Sequence, residues 1–304
     1  MQATTVRLRD VPSQHRDLHG KTVVFSGGTD GMGRVAVEKL AKMGADVVLL
    51  ARNEVKSQAT VEEINQLSDG GRARYVRCDL ADLASVRACA DEILTRCSRI
   101  DVLVNCAGAN FNERRLNEDG MELSWVVNHL GGFLLTQLLL ERLKDSAPAK
   151  IVHLSSATEK YGHIHLEDLQ LERSWGTLKA YAQAKLALNM CTIRLAQELE
   201  GTGVTVNALN PGFIQTKIGK GHGLSRWQQV FARVYGFFSA EPIEVGADRI
   251  ITLTIAPQYD GVSGEFVYED HVKTPNPEAL DEELVERVWD ISMSQVGLRA
   301  VTSI

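Results

Sequence analysis

The sequence predicts an α/β domain, a single doubly wound parallel sheet with helices on both faces. Three observations point there. Strand-like and helix-like segments alternate from Lys21 almost to the end of the chain. Segments such as Val47-Val48-Leu49-Leu50 are apolar at every position, as parallel strands buried on both faces are. The first strand runs straight into a glycine-rich turn that opens a helix. No repeat, low-complexity stretch or convincing linker interrupts this alternation, so residues 1–304 read as one domain.

The elements follow in order. Residues 1–20 are polar, with Arg7, Arg9, Arg16 and Asp17, and read as an arm laid on the domain surface. Lys21–Ser26 is a β-branched and aromatic run ending in glycines, hence a strand. Arg34–Met43 has helical periodicity and stops at Gly44. Asp46–Leu50 is expected as a strand, Glu54–Leu67 as a helix, Ala73–Cys78 as a strand, Leu83–Arg96 as a helix and Val102–Asn105 as a strand. Gly120–Lys144 is one helical stretch interrupted by Gly131-Gly132. Lys150–Ser155 is strand-like, Ala180–Leu199 helical, Thr205–Leu209 strand-like, Glu244–Thr254 helical and Gly264–Tyr268 strand-like. Residues 213–243 carry Trp227, Val230, Phe231, Val234, Tyr235, Phe237 and Phe238. That pattern suits an amphipathic helix covering a site for a bulky apolar substrate, and equally a dimer contact or a core helix.

Apolar residues make up 44% of the chain and charged residues 24%, enough for a substantial core. A net charge of −6 with scattered basic residues gives no general attraction for nucleic acid or an anionic membrane. Cys78, Cys89, Cys97, Cys106 and Cys191 match no zinc spacing and sit mostly in apolar stretches, which fits reduced, buried thiols in a cytoplasmic protein and no metal. Cys106 alone stands where a redox role is conceivable. No apolar run reaches the length of a membrane span, and the first residues lack the apolar centre of a signal peptide.

Chemistry in such a sheet collects beyond the carboxyl ends of the strands. The first strand ends in Ser26-Gly27-Gly28-Thr29-Asp30-Gly31-Met32-Gly33, where glycines allow a tight turn and bring backbone N–H groups to a diphosphate at a helix N-terminus. The second strand ends in Leu50-Ala51-Arg52, with no acid to accept from ribose hydroxyls. Arg52 is either a fork for a 2′-phosphate, favouring NADP(H) over NAD(H), or merely solvated, and Asp30 counts mildly against a nearby phosphate. After the third strand, Asp79 either accepts from an adenine amino group, with Leu80 packed on the ring, or caps the helix beginning near Asp82. The fourth ends in Asn105-Cys106-Ala107-Gly108, small enough to admit adenosine, with Asn105 able to pin neighbouring strands.

Tyr181 and Lys185 share one helix face, so the ammonium is placed to lower a phenol pKa that is otherwise near 10. Ser156 closes the strand begun at Lys150 and can orient a substrate oxygen, although only one of Ser155 and Ser156 can face the crevice. Asn128, just before Gly131-Gly132, sits either in a kink that frees it to hold a water relaying protons to Lys185 or in a tolerated packing defect.

Together these residues resemble the short-chain dehydrogenase/reductase superfamily over the chain from about Lys21 onward. Its Thr-Gly-x-x-x-Gly-x-Gly stands here as Ser26-Gly27 … Gly31-Met32-Gly33, and its Asn-Asn-Ala-Gly as Asn105-Cys106-Ala107-Gly108. The resemblance implies catalytic roles for Asn128, Ser156, Tyr181 and Lys185, with Lys185 also binding the nicotinamide ribose. It implies nicotinamide contacts for Pro211, Gly212 and Thr216. Asn128-His129-Leu130-Gly131, Ile164-His165-Leu166-Glu167-Asp168-Leu169 and Asp281-Glu282-Glu283 … Val288-Trp289 are similar to the retinol dehydrogenase-like and protochlorophyllide reductase-like branch. The implied protein is a cytoplasmic NADP(H)-dependent ketoreductase with a Rossmann domain, acting on a lipophilic carbonyl or alcohol. Reduction of an activated C=C bond and a non-catalytic NADP(H) sensor or scaffold are the alternatives. The resemblance also implies a homodimer packed through the helices around Gly120–Lys144 and Ala180–Leu199.

Overall fold

In the computed structural model, which describes residues 7–68, 71–214 and 240–298, one eight-stranded sheet runs through the chain in the order β3-β2-β1-β4-β5-β6-β7-β8. The strands are β1 Thr22–Ser26, β2 Asp46–Ala51, β3 Arg72–Arg77, β4 Val102–Asn105, β5 Ala149–Leu154, β6 Val204–Asn210, β7 Phe266–Tyr268 and β8 His271–Lys273. All pairings are parallel except that of β7 with β8. The order reverses between β1 and β4, the switch point where a crevice opens at the carboxyl edge. Register places Leu50, Ser26, Asn105, His153 and Ala208 in one row across the sheet. The turns that follow these strands therefore meet along a single line.

Helices α1 Gly31–Lys42, α2 Glu54–Leu67, α3 Leu83–Arg96, α4 Leu123–Asp145, α5 Thr177–Glu198, α6 Ile243–Ile255 and α7 Glu282–Gln295 cover the two faces. One core joins Val37 and Leu40 of α1, Ile64 of α2 and Ile250 of α6 to Phe25 and Leu49, and takes in Leu8, Val11 and Leu18 of the N-terminal arm. The other joins α3, α4, α5 and α7 to Val24, Val48 and Leu103. The alternation of inward side chains on fully buried strands thus feeds two cores at once.

Most boundaries follow local chemistry. Asn53 accepts from Lys56 N, Asp82 from Ala84 N and Ser85 N, and Asp281 from Leu284 N, each closing a helix start. Helix α1 begins at Gly31 rather than Arg34 because the glycine turn itself supplies the first helical turn, capped by Asp30. Strand β5 ends at Leu154, so Ser155 and Ser156 lie just beyond it. Strand β8, three residues long, is too short to show alternation.

Two expectations are corrected. An apolar segment of membrane-spanning length does exist: α4, with 23 residues, qualifies by length and composition. Yet 78% of its most apolar window is buried inside the fold, so it is a core helix here. The Gly131-Gly132 interruption does not break α4; the disturbance falls earlier, as a π-helical turn over Val126–Leu130. Helix α7 of the same chain packs on parts of α4 and α5. Trp289 packs edge-on against Phe133 at 5.1 Å, the Trp125 indole donates to Gln295, His129 bonds Ser292 at 2.8 Å, and Arg194 pairs with Glu286. The signal for α7 was present, since Val285, Val288, Trp289 and Ser292 repeat at helical spacing.

Trp289 is 1% exposed, so Trp289→Ala is expected to lower unfolding free energy by about 3–5 kcal/mol. Urea titration checks this; a loss below about 1 kcal/mol would mean α7 is not docked as described.

Candidate active site

The glycine turn lies bare at the carboxyl edge. Gly27 has φ +82, and a Cβ there would come within 2.7 Å of the Ala107 backbone, so the turns after β1 and β4 touch main chain to main chain. Gly33 is equally constrained, since its Cβ would fall 2.4 Å from Gly27 O. The 12-residue helix α1 starts here with backbone N–H groups and no bulky side chain over Gly31, Met32 or Gly33 other than Met32 itself. This donor set suits the diphosphate of a dinucleotide. Asp30 spends one carboxylate oxygen on Gly31 N, and the other pairs with Lys56 Nζ at 3.0 Å. Lys56, not singled out in the sequence, thus offsets the acid that seemed to oppose a phosphate. Thr29 is half-buried in the turn, and Arg52 is exposed just past β2 on the same edge.

Across the switch point, Asn105 is fixed differently from expectation. Its Nδ2 donates to Thr136 Oγ1 at 2.9 Å, so it ties β4 to α4 rather than to neighbouring strands. Asp79 is not the cap of α3, which is Asp82; its Oδ1 accepts from Ala81 N within the turn. Leu80 is 7% exposed, belongs to the core with Val76 and Phe133, and lines a small cavity with Asn105, Ala107 and Asn128. Cys106 is a partly exposed thiol whose pKa burial pushes up to about 12.

Tyr181, Ser156 and Lys185 come together. The Ser156 hydroxyl stands close enough to the Tyr181 phenol to lower its pKa, and Thr158 donates to Ser156 Oγ at 3.0 Å. Ser155, by contrast, is buried, and its hydroxyl meets no partner among the described residues. Lys185 is 3% exposed and donates to Leu154 O at 2.6 Å, while its Nζ stands 5.7 Å from the Tyr181 ring. Burial pushes the Lys185 ammonium down to about 8. The expected lowering of Tyr181 is corrected here: burial raises the phenol above its ordinary 10.0, and the Ser156 hydroxyl offsets this only in part. At neutral pH the phenol is therefore protonated in this state, the form needed to give a proton away.

Asn128 occupies the π-helical turn, as the kink reading expected. Its side chain, however, is spent on backbone: Nδ2 donates to Ala109 O and Ser124 O at 2.8 and 3.0 Å, and Oδ1 accepts from Ala109 N at 2.9 Å. It is a clamp on the Gly108–Ala109 turn. A Cβ at Gly108 would lie 3.0 Å from Asn128 Oδ1 and 3.7 Å from Lys185 Nζ, which places the clamp beside the ammonium. Behind it, His129 and His153 are held neutral by burial, with pKa values pushed down to about 3 and about 4. Pro211 and Gly212 follow β6 at the same edge, next to Ser155, whose N–H donates to Leu209 O at 2.8 Å. Thr216 and all the aromatic residues singled out between Gly219 and Ala240 lie outside the described residues. Among the described residues no three His, Cys, Asp or Glu side chains are grouped to hold a metal ion.

A glycine-lined helix N-terminus at a parallel-sheet switch point, beside a Tyr–Ser–Lys cluster, defines a nicotinamide-dependent oxidoreductase of Rossmann architecture. The comparison with known proteins agrees. Residues 21–226 match the short chain dehydrogenase family model, and the chain belongs to that family. Within it the chain falls in the retinol dehydrogenase-like branch and is an alcohol/carbonyl oxidoreductase. It is 39% identical over 292 residues to mouse retinol dehydrogenase 14, covering 92% of this chain and 87% of that one. It is 38% identical to human retinol dehydrogenase 13, covering 93% and 86%. A crystal structure of an uncharacterized protein from Mycobacterium paratuberculosis superposes with TM-score 0.76 at 27% identity, covering 97% of this chain and 98% of that one.

Asn128→Ala strips both backbone groups of Ala109 of their partners and is expected to cost about 2 kcal/mol in urea unfolding. Ser155→Ala should stay within about 0.5 kcal/mol of the parent or gain slightly. Equal losses in the two variants would remove the clamp assignment.

Proposed function

We propose that this chain uses NADP(H) to interconvert a carbonyl and an alcohol on a lipophilic small molecule, with Tyr181 as the proton-transfer residue. The observation that carries the reading is the buried Lys185, bonded to the end of β5 with its Nζ 5.7 Å from the Tyr181 ring and Ser156 just beyond that strand, at the edge that holds the glycine turn. Bound at that edge, the nicotinamide supplies or accepts the hydride. Ser156 orients the substrate oxygen, and in the reducing direction the neutral Tyr181 phenol donates its proton to that oxygen. Lys185 then stabilises the phenolate left behind. Asn128 contributes by holding the Gly108–Ala109 turn in place.

NADP(H) is favoured over NAD(H) because Arg52 and Lys56 stand past β2, while Asp30 is already engaged by Lys56. A lipophilic substrate is supported by exposed Phe213 and Tyr161, on the segments that follow Gly212 and Ser156, and by relatives whose names specify retinol. A cytoplasmic location is supported by five free cysteines, four of them buried. A homodimer packed through α4 and α5 is part of this proposal by family resemblance alone.

Tyr181→Phe is expected to keep NADPH affinity within about twofold while turnover falls on the order of 10²–10⁴-fold. Retained turnover in NADPH-oxidation assays would defeat the proton-transfer assignment. Arg52→Ala should weaken NADPH binding about tenfold and leave NADH unchanged, read by fluorescence titration of each dinucleotide; equal changes for both would defeat the 2′-phosphate reading.

A further inference from the structure

The chain leaves the sheet edge through Pro211-Gly212-Phe213-Ile214 and is back beside that point at Glu241. Glu241 N donates to Phe213 O at 2.8 Å, and Ile214 and Glu241 form a parallel bridge. Under this junction lies Arg249 of α6, its side chain only 7% exposed. One guanidinium nitrogen, Nη1, donates to Pro211 O at 2.7 Å and also to the Glu241 carboxylate, which Nη2 grips from the other side at 3.2 Å. Glu269 and Asp270, in the turn between β7 and β8, stand 3.6 and 3.5 Å from the same group. Glu269 holds a left-handed φ of 57, a strain that persists only where surroundings impose it. Gly212, at φ +86, has no room for a side chain, since a Cβ would meet Arg249 Nη1 at 2.9 Å and Glu269 Oε1 at 3.0 Å.

The same helix reaches the glycine turn. A Cβ at Gly246, one turn before Arg249, would sit 2.9 Å from Met32 Sδ and 3.0 Å from Ile214 Cγ1. Met32 of the glycine turn, Ile214 of the exit turn and Gly246 are therefore packed against one another. A buried guanidinium facing three carboxylates is an expensive arrangement for stability alone, because desolvation offsets much of the attraction.

We infer that Arg249 is a positioning residue: by clasping Pro211 O to Glu241, it sets the Pro211–Ile214 turn at a fixed distance from the glycine turn. This inference rests on the proposed function, with the diphosphate of one dinucleotide at the glycine turn and, as the family resemblance implies, its nicotinamide at the Pro211–Gly212 turn. Lysine cannot reproduce the fork, and a neutral amide at position 241 weakens it.

The test compares Arg249→Lys and Glu241→Gln with Asp248→Asn, a control on the same helix whose carboxylate pairs with Lys39 outside the clasp. NADPH dissociation constants are read by fluorescence titration without substrate, and kcat and KM are then measured with a reducible aldehyde. Both clasp variants should raise the NADPH dissociation constant about tenfold and lower kcat, with a smaller change in aldehyde KM, while Asp248→Asn stays at the parent values. Parental affinity and kcat in both clasp variants, with only thermal stability reduced, would overturn the inference; so would equal losses in Asp248→Asn. If Arg249→Lys does not fold, Glu241→Gln decides alone. A parent protein that binds NADPH but reduces no carbonyl would defeat the proposed function, and the affinity comparison would still judge the clasp.

Discussion

The hydrogen bond from the Lys185 ammonium to Leu154 O at 2.6 Å sets the geometry of the whole site. An ammonium that is 3% exposed must find a strong acceptor, and here it finds the terminal carbonyl of β5. Satisfying that donor fixes both the height and the rotation of α5 against the sheet. Tyr181, one helical turn earlier, is carried over the end of the same strand, where Ser156 begins the next turn. The cost of the arrangement shows in the ammonium itself, which burial holds down to about 8. The charge beside Tyr181 is thus held on a group that gives it up more readily than a solvated lysine would.

The sheet supplies the second constraint. Because Leu50, Ser26, Asn105, His153 and Ala208 lie in one register row, each strand ends where its neighbour ends. The glycine turn and the Ala107 turn are then forced together, and only a residue without a side chain fits at Gly27. Polar residues pin this edge from beneath. Asn105 bonds Thr136, His153 bonds Thr192 at 2.9 Å, and Asn128 clamps Ala109. These groups serve the site by rigidity, since burial keeps both histidines neutral and leaves them no proton to exchange near neutral pH.

Helix α7 changes what the rest of the fold is available for. It packs Trp289 on Phe133 and engages Trp125 and Arg194, so parts of α4 and α5 become interior. The long apolar run of α4 is a consequence of being covered on both sides, by the sheet and by α7.

The order of strands and helices, their boundaries to within a few residues, the glycine turn and the pairing of Tyr181 with Lys185 were legible in the sequence, because each depends on contacts a few residues apart. So was the absence of an acid after Leu50-Ala51. Direction of side chains across long separations was not legible. Ser155 and Ser156 differ by one position, and only the docking of α5 decides which of them meets Tyr181. Lys56 against Asp30, Asn128 against Ala109 and α7 against α4 join residues that local periodicity treats as independent. The sequence by itself determined which groups stand at the ends of the strands; the tertiary structure alone decided how far each is buried and what it bonds, and so set the phenol above its ordinary pKa and the ammonium below.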